Sequence, residues 1–160
     1  MEPDESNSLL IQPHGGKADS LPEFSLLSCT SDNLHTLLEE TFLKEIFIGR
    51  FTIKTTGFHY AEDFLDAVRS KGCDLACITL SDTRFREGDF DLDTRLGMAV
   101  ELVSKAKSAG ARLVFATTGI PVEWSPDLPE RVKNAGGDIF LRAPFDLKDF
   151  KRELTPFIFS

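Results

Sequence analysis

The sequence predicts a doubly wound α/β domain, with a five-stranded parallel sheet and helices on both of its faces. Three observations predict it. Short apolar runs alternate with amphipathic, helix-patterned stretches five times without a break. One of those runs, Leu75–Leu80 (LACITL), is apolar almost throughout, as a central parallel strand buried on both faces must be. Successive runs are also separated by enough chain for a right-handed crossover helix, which parallel pairing requires.

The elements follow in order. Residues 1–22 are polar, carry Pro3, Pro13 and the Gly15–Gly16 pair, and show no periodicity. They read as a flexible N-terminal arm, leaving 23–160 as the domain. Phe24–Cys29 is the first strand. From Asp32 the chain places Leu34, Leu37, Leu38, Phe42 and Ile46 at helical spacing, with Ser31 or Asp32 free to cap the first turn. Phe51–Thr56 is β-branched and alternating. The stretch from Ala61 turns Phe64, Leu65 and Val68 inward and stops at Gly72. After the third strand, residues 81–93 form a polar loop and a helix follows over 97–110. Arg112–Thr117 is the fourth strand, 127–137 holds a short helix, and Asp138–Arg142 is the fifth strand. The last helix starts near Leu147 and is expected to end or kink at Thr155, before Pro156. In such sheets ligands sit beyond the carboxyl ends of the strands, so function is sought there.

Composition narrows the classes. A net charge of −8 and a pI of about 4.9 repel phosphate backbones and anionic lipid surfaces, so neither nucleic acid nor membrane is an expected partner. No apolar run approaches the roughly 20 residues that span a bilayer, and the first residues are acidic where a signal peptide is basic. A cytoplasmic location is expected. Cys29, Cys73 and Cys77 lack metal-ligand spacing and read as free, packed thiols, with Cys29 and Cys77 close on neighbouring strands. His14, His35 and His59 form no metal or triad spacing, and His35 is expected on the exposed side of its helix. The turn after the first strand reads CTSDN rather than G-x-G-x-x-G, which argues against a nucleotide cofactor. The acids Glu87, Asp89, Asp91 and Asp93 superficially resemble a calcium loop. Thr94 stands where its glycine belongs, however, and Val100 where its last carboxylate belongs. No cofactor and no metal are expected.

The stretch GGDIFLRAPFDLKDF resembles the last strand and last helix entry of bacterial response-regulator receiver domains. Gly136, Asp138, Phe140, Leu141, Pro144 and Phe145 fit that pattern without a gap. The resemblance runs from about Phe24 to Ile158. It implies a flavodoxin-like strand order of 2-1-3-4-5, a cis bond at Ala143–Pro144 and a role in two-component signal transduction. It also implies a test, because the family's phosphoryl chemistry needs four groups. These are an acidic pair for Mg²⁺, a phosphoacceptor Asp, a switch Thr or Ser, and a Lys. On the matched positions the acidic pair becomes Cys29 and Thr30, the phosphoacceptor becomes Thr79 and the Lys becomes Ala143. Thr117 keeps the switch position. Arg142 precedes Ala143 and, by strand alternation, faces the other way.

The resemblance with its losses implies a pseudo-receiver. The expected function is a phosphorylation-independent, non-enzymatic signalling module acting by protein–protein interaction, with a pathway protein or a second copy as partner. Phe140, Pro144 and the loop residue Trp124 are its candidate switch and interaction residues, and Phe85 and Phe90 are further loop aromatics at the same end. Two alternatives stand beside it. One is a small-molecule sensor using a vacated pocket at Cys29, Thr30, Thr79 and Thr117. The other is an atypical phosphoacceptor at Asp82, three residues past Thr79. A receiver-like domain is often joined to an output domain, and this chain shows none, so it is expected to act by binding or to belong to a longer protein.

Overall fold

Alternation and β-branching give the five strands, and pairing places them in one sheet. A computed structural model describes residues 21–158. The predicted arm at 1–22 falls almost wholly outside the described residues. The strands are β1 (Glu23–Cys29), β2 (Thr52–Phe58), β3 (Cys73–Thr79), β4 (Ala111–Thr118) and β5 (Ile139–Arg142). All pairs are parallel and the order is β2-β1-β3-β4-β5, as expected. All seven residues of β3 are buried, which is why that run is apolar throughout. It ends one residue earlier than predicted, because Leu80–Asp82 turns into a 3₁₀ helix.

Five helices cover the two faces: α1 (Asn33–Ile46), α2 (Ala61–Lys71), α3 (Leu92–Ala109), α4 (Leu128–Asn134) and α5 (Leu147–Ile158). One face carries α2, α3 and α4 over Leu27, Ala76, Ile78, Val114 and Ala116. The other carries α1 and α5 over Phe24, Leu26, Leu75, Leu113 and Phe115. The phenylalanines cluster on this second side. Phe115 lies 5.1 Å from Phe150 and 5.6 Å from Phe145, ring centre to ring centre. Such tilted and edge contacts add about 0.5–1.5 kcal/mol per pair beyond area burial.

Three departures from the sequence reading have local causes. Helix α3 starts at Leu92, inside the predicted polar loop, because Asp91 caps it: its side chain accepts from Thr94 N at 2.8 Å. Helix α5 runs through Pro156 to Ile158, because Phe150, Leu154 and Ile158 are buried together and their packing outweighs one lost backbone hydrogen bond. Helix α1 keeps Phe42 and Ile46 of its expected face against the core but turns the three leucines of its first half outward. Leu34, Leu37 and Leu38 are 74, 56 and 39 % exposed, while Glu39 is 1 % exposed and buried with Leu43.

The entry to β5 explains the glycine pair. Gly136 has φ +101°, a conformation that strains L side chains. At Gly137 a Cβ would lie 2.5 Å from Val132 Cγ1, so only glycine lets α4 close onto β5. The Ala143–Pro144 bond is cis, as the resemblance implies.

Candidate functional site

The carboxyl ends of β1, β3, β4 and β5 converge at one edge of the molecule. Thr79 and Thr117 are register partners there. By alternation with Leu75, Cys77, Leu113 and Phe115, both face the α1/α5 side. Both are buried, and neither Oγ1 has a hydrogen-bond partner among the described residues. Ala143 lies beyond β5 and donates its N–H to Thr118 O at 2.8 Å.

Of the other matched residues, Cys29 is turned away from this pair. Cys29 belongs to the opposite face, among Leu27, Phe64 and Ile78. Its thiol is pushed up to about 12, first by burial, while a Thr83 hydrogen bond lowers it and the charges of Glu62, Asp63 and Glu39 raise it. Thr30 serves the backbone instead: its Oγ1 accepts from Asp32 N at 3.1 Å, and Asp32 in turn caps α1. Cys29 and Cys77 do lie on neighbouring, paired strands. Cys29 pairs with Ile78, one residue off, so the two thiols point to opposite sides of the sheet.

The presumed cavity is closed. Cys29, Thr30, Thr79 and Thr117 are all buried, and the loops above them are tied to one another. Ser31 N donates to Asp82 O at 3.0 Å, Gly119 N to Ser81 Oγ at 3.4 Å, and the buried Thr83 Oγ1 to Thr79 O at 2.7 Å. Asp82 is exposed in its 3₁₀ turn. Among the described residues no three His, Cys, Asp or Glu side chains group as metal ligands, so its carboxylate has no acidic pair beside it.

Beneath α1 lies a polar cluster that the sequence reading missed. Ser28 Oγ donates to Glu39 Oε1 at 2.7 Å, and Thr36 Oγ1 donates to Ser28 Oγ at 3.2 Å. His35 Nε2 lies 3.3 Å from Glu39 Oε2, so His35 is half-buried rather than on the exposed side of the helix. The contact to Glu39 raises the imidazole pKa above its ordinary value; burial opposes this, and the charges of Glu39, Asp32 and Asp82 add to it. The sequence carried one signal of this cluster, the i,i+4 spacing of His35 and Glu39 on one helix face.

The loop after β4 carries the strongest surface feature. Trp124 is 72 % exposed in the 3₁₀ turn Val122–Trp124, beside exposed Pro121 and Val122. Phe85 and Phe90, by contrast, fold back and are half-buried. Arg142 holds the Trp124 loop at both ends, donating to Ile120 O at 2.6 Å and Ser125 O at 2.8 Å, with its guanidinium 5.5 Å from the Phe140 ring centre. Arg142 therefore points away from Thr79 and Thr117, as alternation predicts, and Phe140 packs on the α2/α3/α4 side. Pro144 is exposed at the same end.

This arrangement can be set against known structures. A DNA-binding response regulator of the LuxR family from Staphylococcus aureus has a TM-score of 0.59 at 10% identity, over 82% of this chain and 96% of that one. The signal receiver domain of a DNA-binding response regulator from Colwellia psychrerythraea gives 0.58 at 16% identity, over 82% and 95%. The chain has the receiver-domain fold. A pilus assembly-related protein from Burkholderia pseudomallei gives a TM-score of 0.52 at 16% identity, over 83% of this chain and 90% of that one. Similar structures thus carry different names, and function has to be argued from the site. No protein-family model and no curated protein matches the sequence. Among the described residues no helix is long and apolar enough to cross a membrane.

Proposed function

We propose that the chain is a receiver-like signalling module that works without phosphorylation and without enzymatic activity, by protein–protein contact through the Trp124 loop and the adjoining α4, β5 and α5 face. The observation that carries this reading is Trp124, exposed on a loop whose backbone Arg142 already fixes. Tryptophan is among the strongest interface anchors, and a loop held before binding loses less entropy on docking. The losses at positions 29, 30, 79 and 143 support the phosphorylation-independent part, because Thr79 has no carboxylate to form an acyl phosphate. Burial of Cys29, Thr30, Thr79 and Thr117 weakens the small-molecule sensor alternative.

The test joins two measurements on the full chain. Affinity capture from native lysate is expected to recover a partner with the parent protein and to lose it with Trp124→Ala. Acetyl phosphate is expected to leave both the intact mass and the capture unchanged. Equal recovery by Trp124→Ala would remove the Trp124 loop from the interface. A gain of one phosphoryl group, abolished by Asp82→Asn, would establish the atypical phosphoacceptor instead.

A further inference from the structure

A cleft of about 690 Å³ opens beyond the carboxyl ends of β2 and β3, between the β2–α2 turn and the β3–α3 loop. That volume is within the range of small-molecule sites, about 300–1,000 Å³. Its walls include Tyr60, Arg84, Phe85, Arg86, Phe90 and Arg95. Three guanidinium groups in one cleft stand out in a chain of net charge −8.

Their charges are unequally spent. Arg86 is paired with Asp63 at 2.6 Å, and its guanidinium lies 4.3 Å from the Tyr60 ring centre. Arg95 donates to neutral carbonyls only, to Ser81 O at 2.9 Å and Phe90 O at 3.3 Å. These bonds hold its side chain in place, and the nearby Asp91 carboxylate offsets part of its charge. Arg84 is exposed, and its side chain has no partner among the described residues. Its backbone is nonetheless fixed, bridging to Tyr60 and accepting from Ala61 N at 2.8 Å. Asp89 also lines the cleft, Glu62 accepts from Arg86 N at 3.0 Å and the charge of Asp91 acts on Arg95, so Arg84 is the guanidinium of the three that meets no carboxylate among the described residues.

Guanidinium groups with unfilled donors bind phosphate oxygens through charge-assisted hydrogen bonds. The stacked Tyr60–Arg86 pair offers a flat surface beside them, which suits a planar ring. We infer that this cleft binds a nucleoside phosphate, its phosphates on Arg84 and Arg95 and its base over the Tyr60–Arg86 pair. The turn after β1 has no glycine-rich phosphate loop, and the cleft needs none, because side chains rather than backbone amides supply the donors. The site is separate from the Trp124 loop and does not depend on the function proposed for it.

Titration calorimetry with ADP, inorganic pyrophosphate and adenosine tests the assignment. ADP is expected to bind on the order of tenfold tighter than pyrophosphate, and adenosine weakest of the three. Arg84→Ala should weaken ADP and pyrophosphate alike, each on the order of tenfold. Tyr60→Leu should weaken ADP and spare pyrophosphate. Arg84 makes no side-chain bond, so its variant should keep the parent's thermal midpoint, which serves as the folding control. No heat with ADP at millimolar concentration overturns the proposal, as does unchanged ADP affinity in Arg84→Ala. Equal affinity for ADP and pyrophosphate overturns the nucleoside assignment.

Discussion

At the scale of single residues, burial sets the behaviour of the thiols. Cys29 and Cys73 are both pushed up to about 12, and Cys77 lies well above its ordinary value, in each case first because burial disfavours the thiolate. A thiol of pKa near 12 is only ~10⁻⁴ thiolate at about pH 8, whereas an ordinary one is roughly a quarter ionised. We expect no thiol to react with Ellman's reagent in the native protein and all three to react in denaturant. A fast native titre would show that one of them opens to solvent. The residue types at positions 29, 30, 79, 117 and 143 are read directly from the chain, but the directions of their side chains are not. Cys29 sits one residue along a strand from the α1/α5 side, and alternation sends it to the opposite face.

At the scale of elements, α1 shows where periodicity misleads. Of five apolar residues at helical spacing, Phe42 and Ile46 turn to the core beside buried Glu39 and Leu43, while Leu34, Leu37 and Leu38 look outward. The cause is β1. Its residue Ser28 faces α1 with a hydroxyl that needs a partner, and Glu39 supplies it at 2.7 Å. Hydropathy along one helix cannot register a demand made by another strand. Leu37→Lys is therefore expected to change unfolding free energy by less than about 0.5 kcal/mol, while Leu43→Ala costs about 2–5 kcal/mol. Urea denaturation of both variants checks this, and a large loss at Leu37 would contradict its outward placement. The other elements were legible within a few residues, because β3 is buried throughout and the α2 and α5 stripes meet apolar strands rather than a polar one.

At the scale of the whole molecule, one ionisable pair couples stability to pH. The folded state raises the His35 pKa above its unfolded value of about 6.5. The contribution is therefore complete below about pH 6.5 and is lost as pH rises through the raised folded value. Urea midpoints should fall over that window in the parent protein, and His35→Gln should flatten the fall. An identical slope in both would remove His35 as its source. The parallel sheet and its two covered faces were legible from alternation, since right-handed crossovers leave few arrangements, while the strand order came with the receiver resemblance. The loop connections at the carboxyl edge were not, since they join residues far apart in sequence. Among them is the grip of Arg142 on Ile120 and Ser125. An arginine stays protonated at every physiological pH, so this grip has no chemical trigger to release it. On the proposed reading the docking surface is always presented, and its occupancy follows the abundance of the two proteins. Control then passes from chemistry on the domain to how much of it the cell makes.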